Sequence, residues 1–290
     1  MHNATVEAMK KLTWGVEIEC VGLPRYRCAE VVAAATGGRV EGEAVVLTDG
    51  RRWNIVRDGS LSGGELSAEV VSPIMKWEDM EMFQKVIRAL RTAGARVDSS
   101  CGQHVHVGLQ GVDSKGVANV LRTAYRFEEV IIAAGGVQER RLNHYCKRTS
   151  AEKVEAISKG ALSVGGLNRA WYGREVAYPT RYDSSRYHGV NLNSFFLRGT
   201  VEFRWFEGTL HAGEARANVT TVLGLVAYAI TGKRFRKADR VIDPKIGNKI
   251  EPVKGWMEYL LFDLCGLRGP EFTAVVEHMT KRLPAAVVDA

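Results

Sequence analysis

The sequence predicts an α+β protein with a mainly antiparallel sheet. Short segments of alternating apolar and polar residues recur along the chain, as in Thr13–Cys20. Asp49-Gly50 sits between two such segments and is a strong tight-turn signal. Stretches of helical period fall irregularly among these strands.

Taken in order, Thr13–Cys20 reads as a strand and Pro24–Ala35 as a helix that Gly37-Gly38 closes. Ala44–Leu47 and Arg52–Val56 form a hairpin around Asp49-Gly50, and Ser67–Val71 is a strand stopped by Pro73. In Trp77–Thr92 the residues Met80, Phe83, Ile87 and Leu90 repeat at helical spacing up to Gly94. His104–Leu109 is a strand, and Ser114–Ala134 a helix ended by Gly135-Gly136. Val190–Leu197 and Thr200–Phe206 read as two strands meeting at a tight turn that contains Gly199. Glu214–Ile230 is a long apolar helix, Lys233–Lys254 a basic surface loop, and Trp256–Cys265 and Glu271–Arg282 are short helices. No repeat or low-complexity linker divides the 290 residues, so one domain is expected.

Composition narrows the class. At 46% hydrophobic and 25% charged residues the chain is of ordinary globular make-up. The longest apolar run, Val222–Ile230, is far short of the roughly 18 residues of a membrane span. Met1–Lys11 lacks the apolar core of a secretory signal, so a cytoplasmic location is expected. The 5 cysteines are scattered without a CxxC pair, which suits free thiols better than a disulfide framework or a zinc site. Cys101 and Cys146 are read as inert buried thiols. The net charge of +7 suits an anionic partner, either nucleotide phosphates or nucleic acid. Phosphate loops of the GxxxxGK[ST] type, GxGxxG turns, GxSxG elbows and HExxH helices are all missing.

The chemistry lies in the alternation. In Trp14–Glu19 the residues Val16 and Ile18 take one face while Glu17 and Glu19 take the other. The valines and histidines of His104–Val107 separate likewise, as do Glu202 and Arg204 from Val201, Phe203 and Trp205, and Glu69 leads a third such strand. A half-exposed sheet also has polar fronts, but these usually mix Lys, Thr, Ser and Arg. Here they carry metal-ligand types. Two carboxylates 4 Å apart repel by roughly 4 kcal/mol at an effective dielectric of 20, so Glu17, Glu19, Glu69 and Glu202 on one sheet would call for cations. Oxygen ligands with one imidazole suit Mg²⁺ or Mn²⁺, which complete their shells with phosphate oxygens and so imply a nucleotide. Of the two histidines, one is read as a ligand of metal or phosphate and the other as structural, with His106 the favoured ligand. Arg204 either neutralises a transferring phosphoryl group or forms a salt bridge with Glu202.

These motifs in this order resemble the amidoligase family, within the glutamine synthetase-like carboxylate–amine ligases. The matching segments are Trp14–Glu19, Asp58–Leu61, Glu69–Ile74, Gly102–Val107, Asn143–Cys146, Arg186–Leu192 and Gly199–Thr209, and they span about residues 13–230. Residues 231–290 form a helical extension that adds nothing distinctive. The resemblance implies a glutamine synthetase-like fold, a funnel-shaped antiparallel sheet with helices on its outer side. It implies two or three divalent cations on Glu17, Glu19, Glu69, His106 and Glu202. Glu202 and Arg204 would be catalytic, with Arg204 stabilising the phosphoryl group that leaves ATP. Asn191, His104, Arg181 and Arg186 are candidates for nucleotide or substrate binding, Glu65 is a lower-ranked ligand, and Asp58 and Ser60 shape the turn before Glu69.

The expected activity is ATP-dependent joining of a carboxylate to an amine, carried by an amino acid, peptide, polyamine or protein side chain, through an acyl phosphate. The same metal site would also serve a kinase or ATPase, or a metal-dependent hydrolase. A nucleic-acid-binding protein without catalysis is the remaining alternative, and no membrane partner is expected.

Overall fold

The computed structural model describes residues 2–232, 235, 239–242 and 253–281. Its strands are β1 (Trp14–Val21), β2 (Arg39–Glu41), β3 (Ala44–Val46), β4 (Arg52–Val56), β5 (Ser67–Val71), β6 (Gly102–Gly108), β7 (Val190–Asn191) and β8 (Thr200–Glu207). They form an 8-stranded sheet in the order β2-β3-β4-β5-β1-β6-β8-β7, antiparallel at every pairing. The α+β class expected from the alternation is the class observed.

One sheet face is apolar because alternate residues are. Val16, Ile18, Val70, Val105, Val107, Val201 and Phe203 are all buried. Helices α2 (Arg25–Thr36), α3 (Met80–Thr92), α4 (Ser114–Gly135) and α9 (Ala212–Thr231) pack over this side. In α3 the expected stripe of Met80, Phe83, Ile87 and Leu90 is buried as one face. Gly136, in the left-handed region, closes α4 by donating to Ala133 O. α1 (His2–Lys11) and α11 (Thr273–Lys281) lie outside α9. Among the described residues no helix is long and apolar enough to cross a membrane.

The other face stays open to the chamber described below. Beside it runs a connection of short helices, α5 (Glu139–His144), α6 (Ala151–Gly160), α7 (Val164–Tyr172) and α8 (Asn193–Arg198). The last of these corrects the sequence reading. Val190–Leu197 is not a strand: β7 holds only Val190 and Asn191, and the chain then turns into α8. The reason is local. Asn191 Oδ1 accepts the Asn193 backbone N–H at 2.8 Å, an Asx turn that diverts the chain from the ladder. Gly199 therefore caps a helix, at φ 71°, rather than turning a hairpin. Most of the basic stretch Lys233–Lys254 lies outside the described residues. α10 (Val253–Glu258) continues into a π-helical turn at Tyr259–Leu264.

Candidate active site

Strand register assembles the site. Glu19 stands opposite Glu69, Glu17 opposite His104, and His106 opposite Glu202. Cross-strand neighbours on one face have Cβ atoms about 4.5–5.5 Å apart, so the polar fronts of β5, β1, β6 and β8 meet in one row. Glu69, Glu17, His104, His106, Glu202 and Arg204 line a chamber of about 820 Å³, and the buried Glu19 lines a smaller cavity that shares Asp58, His104 and Arg204 with it. Arg57, Asp58, Arg181, Arg186 and Arg198 also line the chamber, and of these Arg57, Arg181 and Arg198 are exposed. The chamber thus combines acidic walls with exposed arginines.

Glu17 lies at the middle of the row. Its Oε2 is 2.8 Å from His104 Nδ1 and its Oε1 is 3.2 Å from His106 Nε2. His104 Nε2 faces Arg141 Nη2 at 3.1 Å. His104 Nδ1, besides facing Glu17, lies 3.4 Å from Arg204 Nη1. Both nitrogens of His104 are thereby engaged. His106 Nδ1 lies 3.2 Å from Thr200 Oγ1 and 3.3 Å from Ser194 Oγ, which fixes its ring with Nε2 toward Glu17.

Glu202 is clamped at both oxygens, Oε1 by the Arg204 guanidinium and Oε2 by Asn191 Nδ2 at 2.6 Å. The salt bridge weighed for Arg204 is therefore present. Arg204 also gives its Nε–H to Tyr145 O at 3.2 Å and its backbone N–H to Gly189 O at 2.8 Å. That leaves the guanidinium lining the chamber in a fixed orientation.

Two trios of metal-ligand types result. Glu17, His106 and Glu202 form one, and Glu19, Asp58 and Glu69 the other; within each, one donor atom per residue lies within 4.8 Å of the others. Glu17 and Glu19, neighbours on one strand face, thus belong to different trios. Asp58, expected to shape the turn before Glu69, joins the second trio. What brings it in is the return from β4 to β5, which starts beside Val56, the partner of Glu69.

Charge crowding shifts the acidities of these groups. Burial, with the Glu17, Glu19, Asp58 and Glu202 charges behind it, pushes Glu69 up to about 9. Burial also raises Glu19, against His104 and Arg141. Burial opposes ionisation of Glu17 as well, but His106 and His104 prevail and hold it well below the usual carboxylate range. Glu202 is lowered too, burial being outweighed chiefly by Arg204 and His106. His106 is raised, its burial outweighed by Glu202 and Glu17.

A stability profile follows from Glu69. The folded chain holds its proton up to about pH 9, whereas the unfolded chain releases it near the ordinary glutamate value of 4.5. The folded state binds more protons in that window, so stability falls as pH rises through it. In chelator-treated protein the slope contributed by Glu69 should be about 1.4 kcal/mol per pH unit and should vanish in Glu69→Gln. Urea titrations at pH 5.5, 7 and 8.5 measure it, and parallel profiles for the two proteins would refute the assignment.

The remaining sequence candidates divide. Arg181 and Arg186 line the chamber, with Arg186 Nη1 tied to Arg181 O at 2.9 Å. Glu65 does not: its side chain is 75% exposed on a 3₁₀ turn, 3.6 Å from Arg25, away from both trios. Arg141, buried against His104, was missed because its helix α5 spans only six residues and shows no readable period. Cys101 and Cys146 are buried and free, each pushed up to about 11 chiefly by burial, as inert thiols would be.

Fold and site together define an α+β protein that presents a carboxylate-rich chamber on the open face of an antiparallel sheet. The chain belongs to the amidoligase family: the family profile described as "Putative amidoligase enzyme" matches residues 10–226. No curated protein matches it in sequence. Among solved structures it is similar to a bifunctional glutathione synthetase from Pasteurella multocida, at 11% identity and a TM-score of 0.46, over 97% of this chain and 48% of that one. The chain spans about half the length of that protein.

Proposed function

We propose that the chain is an ATP-dependent carboxylate–amine ligase that activates its carboxylate substrate as an acyl phosphate. The observation that carries this is the gathering of Glu17, His106, Glu202, Glu69, Asp58 and Arg204 in one arginine-rich chamber, with Glu19 completing the second trio from a smaller cavity that shares Asp58, His104 and Arg204 with it. Oxygens around a Mg²⁺ ion at ~2.1 Å lie at most ~4.2 Å apart, so trios within 4.8 Å fit Mg²⁺ or Mn²⁺ after small side-chain rotations. Glu17, His106 and Glu202 would hold one ion, and Glu19, Glu69 and Asp58 another. The ions would supply charge neutralisation of the polyphosphate.

The protein's own groups do the rest. Arg57, Arg181, Arg186 and Arg198 of the chamber receive the anionic substrates. Arg204, held by Tyr145 O, Gly189 O and Glu202, directs positive charge at the transferring phosphoryl group without needing to reorganise. Asn191 keeps Glu202 in place, and His104, locked by Arg141, keeps Glu17 in place. The substrate carboxylate attacks the γ-phosphorus and ADP departs. The amine then attacks the acyl carbon and phosphate leaves. Residues 1–290 would form one catalytic domain, with its motifs within 13–230.

The test follows ADP and phosphate release from Mg-ATP with pooled carboxylates and amines, and the masses of the products. Pool-dependent ADP release matched by a product one water lighter than its two precursors is the expected result. ADP release with a phosphorylated product, or with none, would instead establish a kinase or an ATPase. Turnover without nucleotide would establish a hydrolase.

A further inference from the structure

Behind the chamber wall formed by residues 181–188 lies a second cavity of about 450 Å³, within the range of small-molecule sites. Lys147, Lys153 and Arg174 line it, and Asp183 is its one lining carboxylate. Among the described residues none of these three cations forms an ion pair. Lys153 is the telling one. Its ammonium lies 4.6 Å from the Trp171 ring centroid and donates to Trp171 O at 2.7 Å. Among the described residues Trp171 O is the acceptor that serves its three N–H groups, although burial already works against its charge. Asp183 accepts the Ser185 backbone N–H at 2.9 Å, and its charge offsets only part of the burial that works against Lys153.

The aromatic side is equally ordered. Trp171 Nε1–H donates to Ser185 Oγ at 2.9 Å, and His188 packs edge-on to Trp171 with ring centroids 5.7 Å apart. His188 Nδ1–H donates to Ser185 O at 2.9 Å, and burial lowers its affinity for a second proton. A planar or apolar body can lie against this wall while its charge meets the cations. We infer that this cavity is a binding site for a small organic dianion, a phosphomonoester or a dicarboxylate, distinct from the catalytic chamber.

The site is wired to that chamber by backbone. Lys147 N donates to Tyr187 O at 2.8 Å and Gly189 N to Lys147 O at 2.9 Å. Gly189 O in turn receives the Arg204 N–H. An occupant pulling on Lys147 therefore acts on the segment that holds Arg204.

The experiment needs neither nucleotide nor turnover, so it stands or falls apart from the ligase reading. The Trp171 indole N–H resonance, assigned through Trp171→Phe, is followed by NMR in Mg²⁺-free protein titrated with phenyl phosphate or isophthalate. A saturable shift is expected, weakened about tenfold or more in Lys153→Met and in Arg174→Ala, and unchanged in Glu202→Gln. Arg174 is exposed, so that variant stays informative if Lys153→Met folds poorly. A response to phenyl phosphate alone, to isophthalate alone, or to both assigns the dianion class. No shift with either probe up to about 10 mM overturns the site, as does a shift that survives both cation variants or is lost in Glu202→Gln.

Discussion

Glu202→Gln should leave a folded protein whose Mg-ATP turnover is reduced by about 10³-fold or more, the scale of losing a preorganised charge at a transferring group. Glu202 is the residue on which the site converges. It faces His106 across the ladder, accepts from Arg204 and Asn191, and shares a trio with Glu17 and His106. A glutamine keeps the volume but has one acceptor oxygen where two donors point, so its amide must face either Arg204 or Asn191. The lost charge also removes a proposed ion ligand and leaves Arg204 without its counter-ion. Steady-state ADP release measures the effect, with circular dichroism to show the fold intact. Glu65→Gln is the matched control. It removes the same charge from an exposed carboxylate outside the chamber and should leave the rate within about twofold. Full activity in Glu202→Gln would overturn the assignment of the first trio.

Much of this site was legible because strand alternation has a period of two. Glu17, Glu19, Glu69, His106 and Glu202 could be put on polar fronts from sequence alone, and antiparallel pairing brought those fronts together. Two kinds of feature escaped. One is any residue placed by a loop or a very short helix, such as Asp58 and Arg141, since neither has a periodicity to read. The other is departure from the ladder. In β8 both Arg204 and Trp205 stand opposite the single residue His104, because the pairing passes from Phe203–Val105 to Phe206–Gln103. That bulge is what lets Phe206 return to the apolar side. The misread strand at Val190–Leu197 has the same origin, since one Asn side chain outweighed a run of strand-like residues.

Arg240→Met should destabilise the protein by about 3 kcal/mol or more, because it strips the counter-ion from a buried carboxylate. Glu128 is 0% exposed in the middle of α4. It accepts from the Thr149 backbone N–H at 3.1 Å, Trp205 Nε1 at 3.2 Å and Arg240 Nη2 at 2.7 Å. Arg240 also binds Glu129 at 2.6 Å and Thr149 O at 2.7 Å, and lies 4.4 Å over the Tyr125 ring. Burial raises Glu128 even with Arg240 in place. Without Arg240 it rises further, so the folded variant holds a proton that the unfolded chain gives up. The penalty is then largest at high pH and shrinks toward pH 5. Glu128→Gln added to Arg240→Met removes the unpaired charge and should recover part of the loss, as urea denaturation at pH 8 would show. A double variant no more stable than Arg240→Met would mean that Arg240 acts by packing on Tyr125 instead. The consequence reaches the active site through Trp205, whose Nε1 lies so close to Gly189 that a Cβ there would come within 2.2 Å of it. Gly189 O is the acceptor that fixes the Arg204 backbone. Loss of Arg240 should therefore lower kcat more than it raises KM for ATP, since it loosens Arg204, the group proposed to act in the transition state, and spares the chamber arginines proposed to receive ATP.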